Sequence, residues 1–127
     1  MEKLSSSVNQ TLKLGKKIAG HLSPGDIILL SGSLGAGKTV LAKGIAQGLG
    51  INKNAVVSPT FVLLLLYQGK HLLQHFDFYR LSSCKDMAAL GLTDYWYSEA
   101  VTLIEWPQRL KFLLPKEFLK IKLLAKG

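Results

Sequence analysis

Cysteine is almost missing from this chain: Cys84 is the only one among 127 residues, so no internal disulfide framework can form. A lone cysteine is typical of a reducing compartment, and we therefore expect a cytoplasmic protein. Long apolar runs are missing too. The longest, from Phe61 to Tyr67, is strand-sized and far short of the roughly 20 residues that span a membrane. The first ten residues are polar and carry no apolar stretch of the signal-peptide kind, so we expect no membrane attachment.

Acidic residues are scarce, with eight Asp and Glu against 16 Lys and Arg, which gives a net charge of +8. Arg80 and Arg109 are the only arginines, so lysine supplies nearly all of the positive charge. This balance favours polyanionic partners such as nucleotide phosphates, an RNA backbone or an acidic protein face. Two small lysine clusters fit either a solvated basic surface or a tRNA-binding patch: Lys13, Lys16 and Lys17, and Lys116, Lys120 and Lys122.

Short apolar runs alternate with segments of helical spacing, and no linker or repeat divides the chain. This pattern predicts one α/β domain over residues 1–127 with a mixed central sheet flanked by helices, and the glycine motif from Gly32 to Thr39 makes it a P-loop fold. The gap at Gln68, Gly69 and Lys70 predicts an antiparallel hairpin. Predicted helices cover Thr11 to Leu22, Lys38 to Leu49 (capped by Gly50) and Asp86 to Leu90. Predicted strands cover Ile27 to Leu30, Phe61 to Tyr67, His71 to Tyr79, Val101 to Ile104 and Phe118 to Leu124.

One motif carries a strong functional signal: two glycines five residues apart, Gly32 and Gly37, are followed by Lys38 and Thr39. The motif follows a predicted strand and opens a predicted helix, which is the context that a phosphate-binding loop requires. Its backbone N–H groups and the helix start attract phosphate oxygens. We expect Lys38 to reach the terminal phosphates and the Thr39 hydroxyl to serve magnesium. The sequence therefore predicts binding of ATP with Mg²⁺.

A phosphate loop needs a carboxylate at the end of a neighbouring strand, and two candidates fit. Glu105 ends a predicted buried strand, at the edge where open α/β sheets bind ligands. Asp77 lies on a strand whose alternation puts it on one face with His75, opposite Phe76. Either carboxylate could instead be a structural acid.

Two further residues are ambiguous. Thr60, in the loop after Pro59, is either part of a phosphate-sensing switch or a turn residue. Trp106 either stacks on a base or packs in the core.

Two signatures of other nucleotide-binding classes are missing. Residues 52–55 do not supply the aspartate of a guanine-specific motif, so ATP is the expected nucleotide. With only two arginines, the arginine-rich lid of a small-molecule kinase is hard to build. The composition therefore favours an ATPase that drives a partner. A small-molecule P-loop kinase and a nucleotide-gated binding module remain the alternatives.

Four motifs occur in one order along the chain: Leu34-Gly35-Ala36-Gly37-Lys38-Thr39, Ser58-Pro59-Thr60-Phe61, His75-Phe76-Asp77-Phe78-Tyr79-Arg80 and Ile104-Glu105-Trp106-Pro107. Together they resemble the TsaE (YjeE) family, small ATPases of bacterial tRNA threonylcarbamoyladenosine synthesis. The phosphate loop is widespread, whereas the other three motifs in this order are highly specific. The resemblance covers about Thr11 to Pro107.

The resemblance implies a slow ATPase that works with the TsaD and TsaB subunits, which themselves transfer the threonylcarbamoyl group to tRNA. It implies that Thr39 and Glu105 bind magnesium, that Asp77 supports hydrolysis beside Lys38, and that Thr60 belongs to a switch loop. The implied nucleotide contacts are Leu34, Gly35, Ala36, Gly37, Lys38, Thr39, Val40, Thr11 and Trp106.

The chain departs from the family pattern in two places. Ser33 stands where the family usually has an acid. Four leucines, Leu63 to Leu66, stand where it usually has polar residues.

Overall fold

The computed structural model describes residues 7–32, 37–51, 64–78, 92–107 and 115–123. These residues form an α/β structure, as the sequence predicts, with two helices, five strands and one short 3₁₀ helix. In chain order the elements are α1 (Val8–Ala19), β1 (Ile27–Gly32), α2 (Lys38–Gly48), β2 (Leu64–Gln68), β3 (Leu72–Asp77), the 3₁₀ helix (Leu92–Tyr97), β4 (Val101–Glu105) and β5 (Leu119–Leu123).

The five strands form one mixed sheet in the order β2-β3-β4-β1-β5. Strands β2 and β3 are the predicted antiparallel hairpin, and the other three pairs are parallel. Parallel neighbours end at the same edge of a sheet. Asp77 of β3 and Leu30 of β1 are therefore both paired in register with Glu105 of β4. The topology brings the end of β1, where the glycine motif starts, beside Glu105, with Asp77 on the next strand.

Side chains alternate across the sheet, so that its two faces have separate cores. On one face, apolar residues of β1, β3 and β4 pack under α2, with Leu41 and Ile45 fully buried against them. On the other face, Phe76 and Ile104 pack with Trp96 of the 3₁₀ helix. Within this second core, the Phe76 and Trp96 rings meet edge to face at 5.4 Å. Strand alternation puts His75, Asp77 and Glu105 on the α2 face.

Helices α1 and α2 are in backbone contact. A Cβ atom at Gly44 of α2 would lie 2.5 Å from the Leu12 carbonyl oxygen of α1, and one at Gly15 would lie 2.7 Å from the Ile45 nitrogen. Only glycine allows so close an approach. The pair of helices therefore covers one face of the sheet as a unit.

The predicted bounds of α1, Thr11 to Leu22, were wrong by three residues at each end. The Ser7 side chain accepts a hydrogen bond from the Gln10 N–H at 3.1 Å, so this N-cap starts the helix at Val8. For α2 the predicted end is confirmed within one residue. Gly50, at φ 87°, follows it, and the Ile51 N–H donates to the Ala46 carbonyl at 3.0 Å.

Sequence periodicity missed the 3₁₀ helix at Leu92–Tyr97. The predicted helix from Asp86 to Leu90 lies outside the described residues. Within the described residues, no helix has the length and apolar character needed to cross a membrane.

Candidate functional site

The glycine motif joins a strand to a helix, as predicted. Strand β1 ends at Gly32 and α2 begins at Lys38, with Gly37 as its N-cap at φ 93°. Gly37 offers no side-chain cap to the first N–H groups of α2. Exposed amides at a helix start, together with the helix dipole, attract anions. Of the predicted loop contacts, Leu34, Gly35 and Ala36 lie outside the described residues, as does Ser33.

Lys38 is buried, with 6% of its surface exposed, and its side chain folds back over the start of the loop. Its Nζ donates to the carbonyl oxygen of Gly32 at 2.9 Å. Among the described residues this is the one hydrogen bond of the Lys38 ammonium group, which has three donors. The ammonium group is therefore held at the end of β1, where the glycine motif begins.

The ring of Trp106 lies against the same ammonium group, with its centroid 3.7 Å from Nζ. A cation over an indole face gains about 0.5–2 kcal/mol. Trp106 adopts a left-handed backbone at φ 60° directly before Pro107, where extended backbone is the norm. Left-handed geometry in a bulky residue costs of order 1–3 kcal/mol and is concentrated at functional sites. The ring packs partly on the second core, and its contact with Lys38 puts it at the start of α2.

Two carboxylates act on Lys38. Burial lowers the pKa of its ammonium group, while the charges of Glu105 and Asp77 oppose this effect and raise it. Asp77 and Glu105 are paired in register on neighbouring strands, and Lys38 contacts Trp106, the residue after Glu105. The structure therefore brings together Lys38, Glu105 and Asp77, which are far apart in sequence.

Glu105 is almost fully buried, at 3% exposed, and His75 is the residue that holds it. The His75 Nε2 and Glu105 Oε2 atoms are 2.7 Å apart. The other ring nitrogen, Nδ1, is buried and has no hydrogen-bond partner in the described part of the chain. The sequence put His75 on the face of Asp77 but suggested no role for it. The one available signal was its position two residues before Asp77 on a strand.

The remaining predicted residues are distributed as follows. Thr39 and Val40 lie in the first turn of α2, directly after Lys38. Thr11 lies in α1, where its hydroxyl donates to the Ser7 carbonyl at 3.2 Å. Its neighbour Leu12 touches Gly44 of α2. Thr60 lies outside the described residues.

The oxygen groups of Thr39, Asp77 and Glu105 are hard ligands of the kind that Mg²⁺ prefers. No cluster of three or more His, Cys, Asp or Glu suited to a metal occurs within residues 7–32, 37–51, 64–78, 92–107 and 115–123. Mg²⁺ in phosphate-binding sites commonly uses one or two protein ligands, with waters and phosphate oxygens completing its shell. The donor set therefore fits magnesium bound together with a nucleotide.

A mixed, mainly parallel sheet, a glycine motif between β1 and α2, and a buried lysine at the start of α2 define a protein of the P-loop class. A family model described as "Threonylcarbamoyl adenosine biosynthesis protein TsaE" matches residues 5–127. The chain belongs to this family.

Known relatives agree with this assignment. The chain is 39% identical over 123 residues to the tRNA threonylcarbamoyladenosine biosynthesis protein TsaE of Treponema pallidum, covering 97% of this chain and 90% of that protein. It is 40% identical over 119 residues to the protein of that name in Bacillus subtilis, covering 93% and 73%. The crystal structure of Bacillus YdiB matches with a TM-score of 0.78 and 32% identity, covering 97% of this chain and 75% of that one.

Proposed function

We propose that this chain is a magnesium-dependent ATPase of the tRNA threonylcarbamoyladenosine machinery. In this role it works with TsaD and TsaB and does not transfer the threonylcarbamoyl group itself. The observation that carries the proposal is the buried Lys38, held at the Gly32 carbonyl beside Trp106 and influenced by Glu105 and Asp77. A buried cation with donors to spare, between a helix start without a side-chain cap and two acids, suits a polyphosphate with its metal.

Each group has a role in this scheme. Backbone amides from Leu34 to Val40 hold the phosphates, while Lys38 neutralises charge on the terminal ones. Thr39 and Glu105 would hold magnesium, which would neutralise negative charge on the phosphates. Asp77 orients the water whose oxygen bonds to the γ-phosphorus as the bond to ADP breaks. Thr60 senses the γ-phosphate in a switch loop, and Thr11 and Trp106 flank the nucleotide.

Catalysis in such a site consists mainly of positioning and charge stabilisation. Lys38 fits this requirement because its contacts with Gly32 and Trp106 orient the ammonium group before any phosphate arrives. Burial also makes its charge more effective, since the surroundings of a buried group screen charge less than water does.

The test of the proposal is ATP turnover by the purified chain, measured alone and with the TsaD–TsaB pair. We expect slow hydrolysis that the pair stimulates. A Lys38→Ala chain is the matched control, and it should lose hydrolysis under both conditions. Absence of stimulation by the pair would refute the partner-dependent role, and absence of any ATP binding would refute the ATPase itself.

The basic surface is the remaining feature that suits this role. Lysines lie along α1 and around β5: Lys13, Lys16, Lys17, Lys116, Lys120 and Lys122. They suit tRNA or an acidic face of a partner protein. A salt titration of tRNA binding by the isolated chain tests the tRNA alternative, because contacts with RNA phosphates weaken steeply with salt.

A further inference from the structure

The buried pair of His75 and Glu105 lies beside the candidate phosphate site, and His75 has no part in the proposed hydrolysis. The two side chains come from neighbouring parallel strands. In register, His75 pairs with Leu103 and Asp77 pairs with Glu105. The imidazole of His75 thus reaches forward along the sheet to contact the Glu105 carboxylate. His75 is 1% exposed and Glu105 is 3% exposed, so neither group can exchange this contact for bulk water.

The hydrogen positions in this pair follow from the surroundings of the ring. If Nδ1 carried a hydrogen, a buried N–H would have no acceptor among the described residues, at a cost of about 1–3 kcal/mol. With a hydrogen on Nε2 no ring N–H is left unpaired, because the Nε2–H donates to the Glu105 carboxylate at 2.7 Å and Nδ1 can stay a buried acceptor.

We propose that His75 is a positioning residue for Glu105: its Nε2–H fixes the carboxylate through Oε2 and leaves Oε1 for the magnesium of a bound nucleotide. The inference rests on the proposed function. A glutamate side chain has several rotatable bonds. Fixing these bonds when the metal binds costs conformational entropy, unless another contact already holds the side chain in place. Groups that hydrogen-bond to metal ligands set the ligand orientation, and their loss typically lowers metal affinity or activity about 10- to 100-fold.

Two amide substitutions separate this role from general packing. In His75→Gln the amide nitrogen can reach the position of Nε2, so the donor to Glu105 is kept. In His75→Asn the side chain is one methylene shorter, so the amide nitrogen reaches only the position of Nδ1. Both variants are polar and similar in size, so that their effects on folding are matched.

The readout is Mn²⁺ binding in the presence of ADP, followed by the electron paramagnetic resonance signal of free Mn²⁺. We expect His75→Asn to weaken Mn²⁺ binding about 10- to 100-fold, and His75→Gln to stay within about threefold of wild type. ADP affinity measured with EDTA should be the same in both variants. Equal Mn²⁺ binding by the two variants, whether strong or weak, would overturn the role of His75.

A measurement on the unaltered chain tests the same role independently, even where a variant does not fold. Nitrogen NMR of the imidazole rings shows which ring nitrogen carries hydrogen, and the His75→Gln spectrum identifies the signal of His75. A hydrogen on Nε2 supports the proposal, whereas a ring whose only hydrogen is on Nδ1 overturns it. Failure of wild type to bind Mn²⁺ with ADP would instead refute the proposed function, since that outcome does not depend on His75.

Discussion

The ammonium group of Lys38 lies 3.7 Å from the ring centroid of Trp106, a residue far along the chain. The contact joins the start of α2 to the residue after β4, next to Glu105 in the sequence. Phosphate oxygens bind an ammonium group more strongly than an indole face does. A bound polyphosphate should therefore change the surroundings of the Trp106 ring.

The first prediction follows from this contact. The chain has two tryptophans, Trp106 and Trp96, and Trp96 packs edge to face against Phe76 in the core. We expect ADP to change the tryptophan emission of wild type and of Trp96→Phe, but not of Trp106→Phe. The measurement is a fluorescence titration with ADP and Mg²⁺. A signal that persists in Trp106→Phe would show that the ring does not sense the nucleotide.

The second prediction concerns pH. Burial lowers the pKa of Lys38 from the ordinary lysine value of 10.5, and the neighbouring acids only partly oppose this. Since the charged form binds phosphate, ADP affinity should fall as pH rises through the lowered pKa, at a pH below 10.5. Lys38→Met should bind ADP weakly, and its ADP affinity should not show the fall with pH that loss of the Lys38 proton causes. The measurement is titration calorimetry of ADP binding by both chains across the alkaline pH range.

The lowered pKa of Lys38 also affects folding stability, which should rise with pH in the range where ADP affinity falls. In the pH range between the lowered pKa and 10.5, the unfolded chain binds this proton and the folded chain does not, so Lys38 makes stability rise with pH there. At neutral pH the buried ammonium thus costs the fold free energy. We expect Lys38→Met to unfold at a higher temperature than wild type at neutral pH, without nucleotide. A lower unfolding temperature would mean that the contacts with Gly32 and Trp106 outweigh burial.

The third prediction separates the two carboxylates. Asp77→Asn should lower ATP turnover about 10²- to 10⁴-fold, the usual contribution of a group that handles the attacking water, and leave Mn²⁺ binding with ADP close to wild type. Glu105→Gln should weaken Mn²⁺ binding as well as turnover. Both changes keep shape and remove one charge, so each is the control for the other. If Asp77→Asn weakened Mn²⁺ binding and Glu105→Gln did not, Asp77 would hold the metal and Glu105 would orient the water.

The Asp77→Asn chain also discriminates fuel from structural ligand. If ATP hydrolysis drives the machinery, tRNA modification with TsaD and TsaB should decline together with turnover. Modification that continues unchanged while hydrolysis is lost would mean that ATP acts by binding alone.

Local features of the site could be predicted from the sequence, because the determinants lie within a few residues. The strand, glycine loop and helix from Ile27 to Gly48 follow from apolar runs and glycine spacing, and alternation alone puts Asp77 opposite Phe76. The pairing of His75 with Glu105 could not be predicted, because it depends on the register of β3 beside β4, which residues distant in sequence create together. Nor does any local rule predict a left-handed tryptophan before a proline at Trp106.

Smaller misses have local causes. The start of α1 was placed too late because apolar spacing begins after the capping serine, Ser7, which makes the first hydrogen bond. The 3₁₀ helix at Leu92–Tyr97 has six residues, too few to show a helical period, and its Tyr95 and Trp96 side chains are explained only by the sheet face that they cover.

The fourth prediction concerns the contact between α1 and α2. In Gly44→Ala the new Cβ would lie 2.5 Å from the Leu12 carbonyl oxygen, so one helix must move. Overpacking of this kind costs about 1–3 kcal/mol, whereas the better helix propensity of alanine returns at most about 1 kcal/mol. The net effect should be a loss of stability, measured by urea unfolding.

Gly20→Ala is the matched control. Gly20 has ordinary right-handed geometry at the end of α1, and its nearest atom to an added Cβ is at 3.4 Å. The same chemical change should therefore alter stability by no more than about 0.5 kcal/mol. Because α2 begins at Lys38, a displaced α2 should also weaken ADP binding in Gly44→Ala and not in Gly20→Ala. If the Gly44 variant matches wild type in both stability and ADP affinity, backbone contact with α1 cannot be what fixes the position of the phosphate-loop helix.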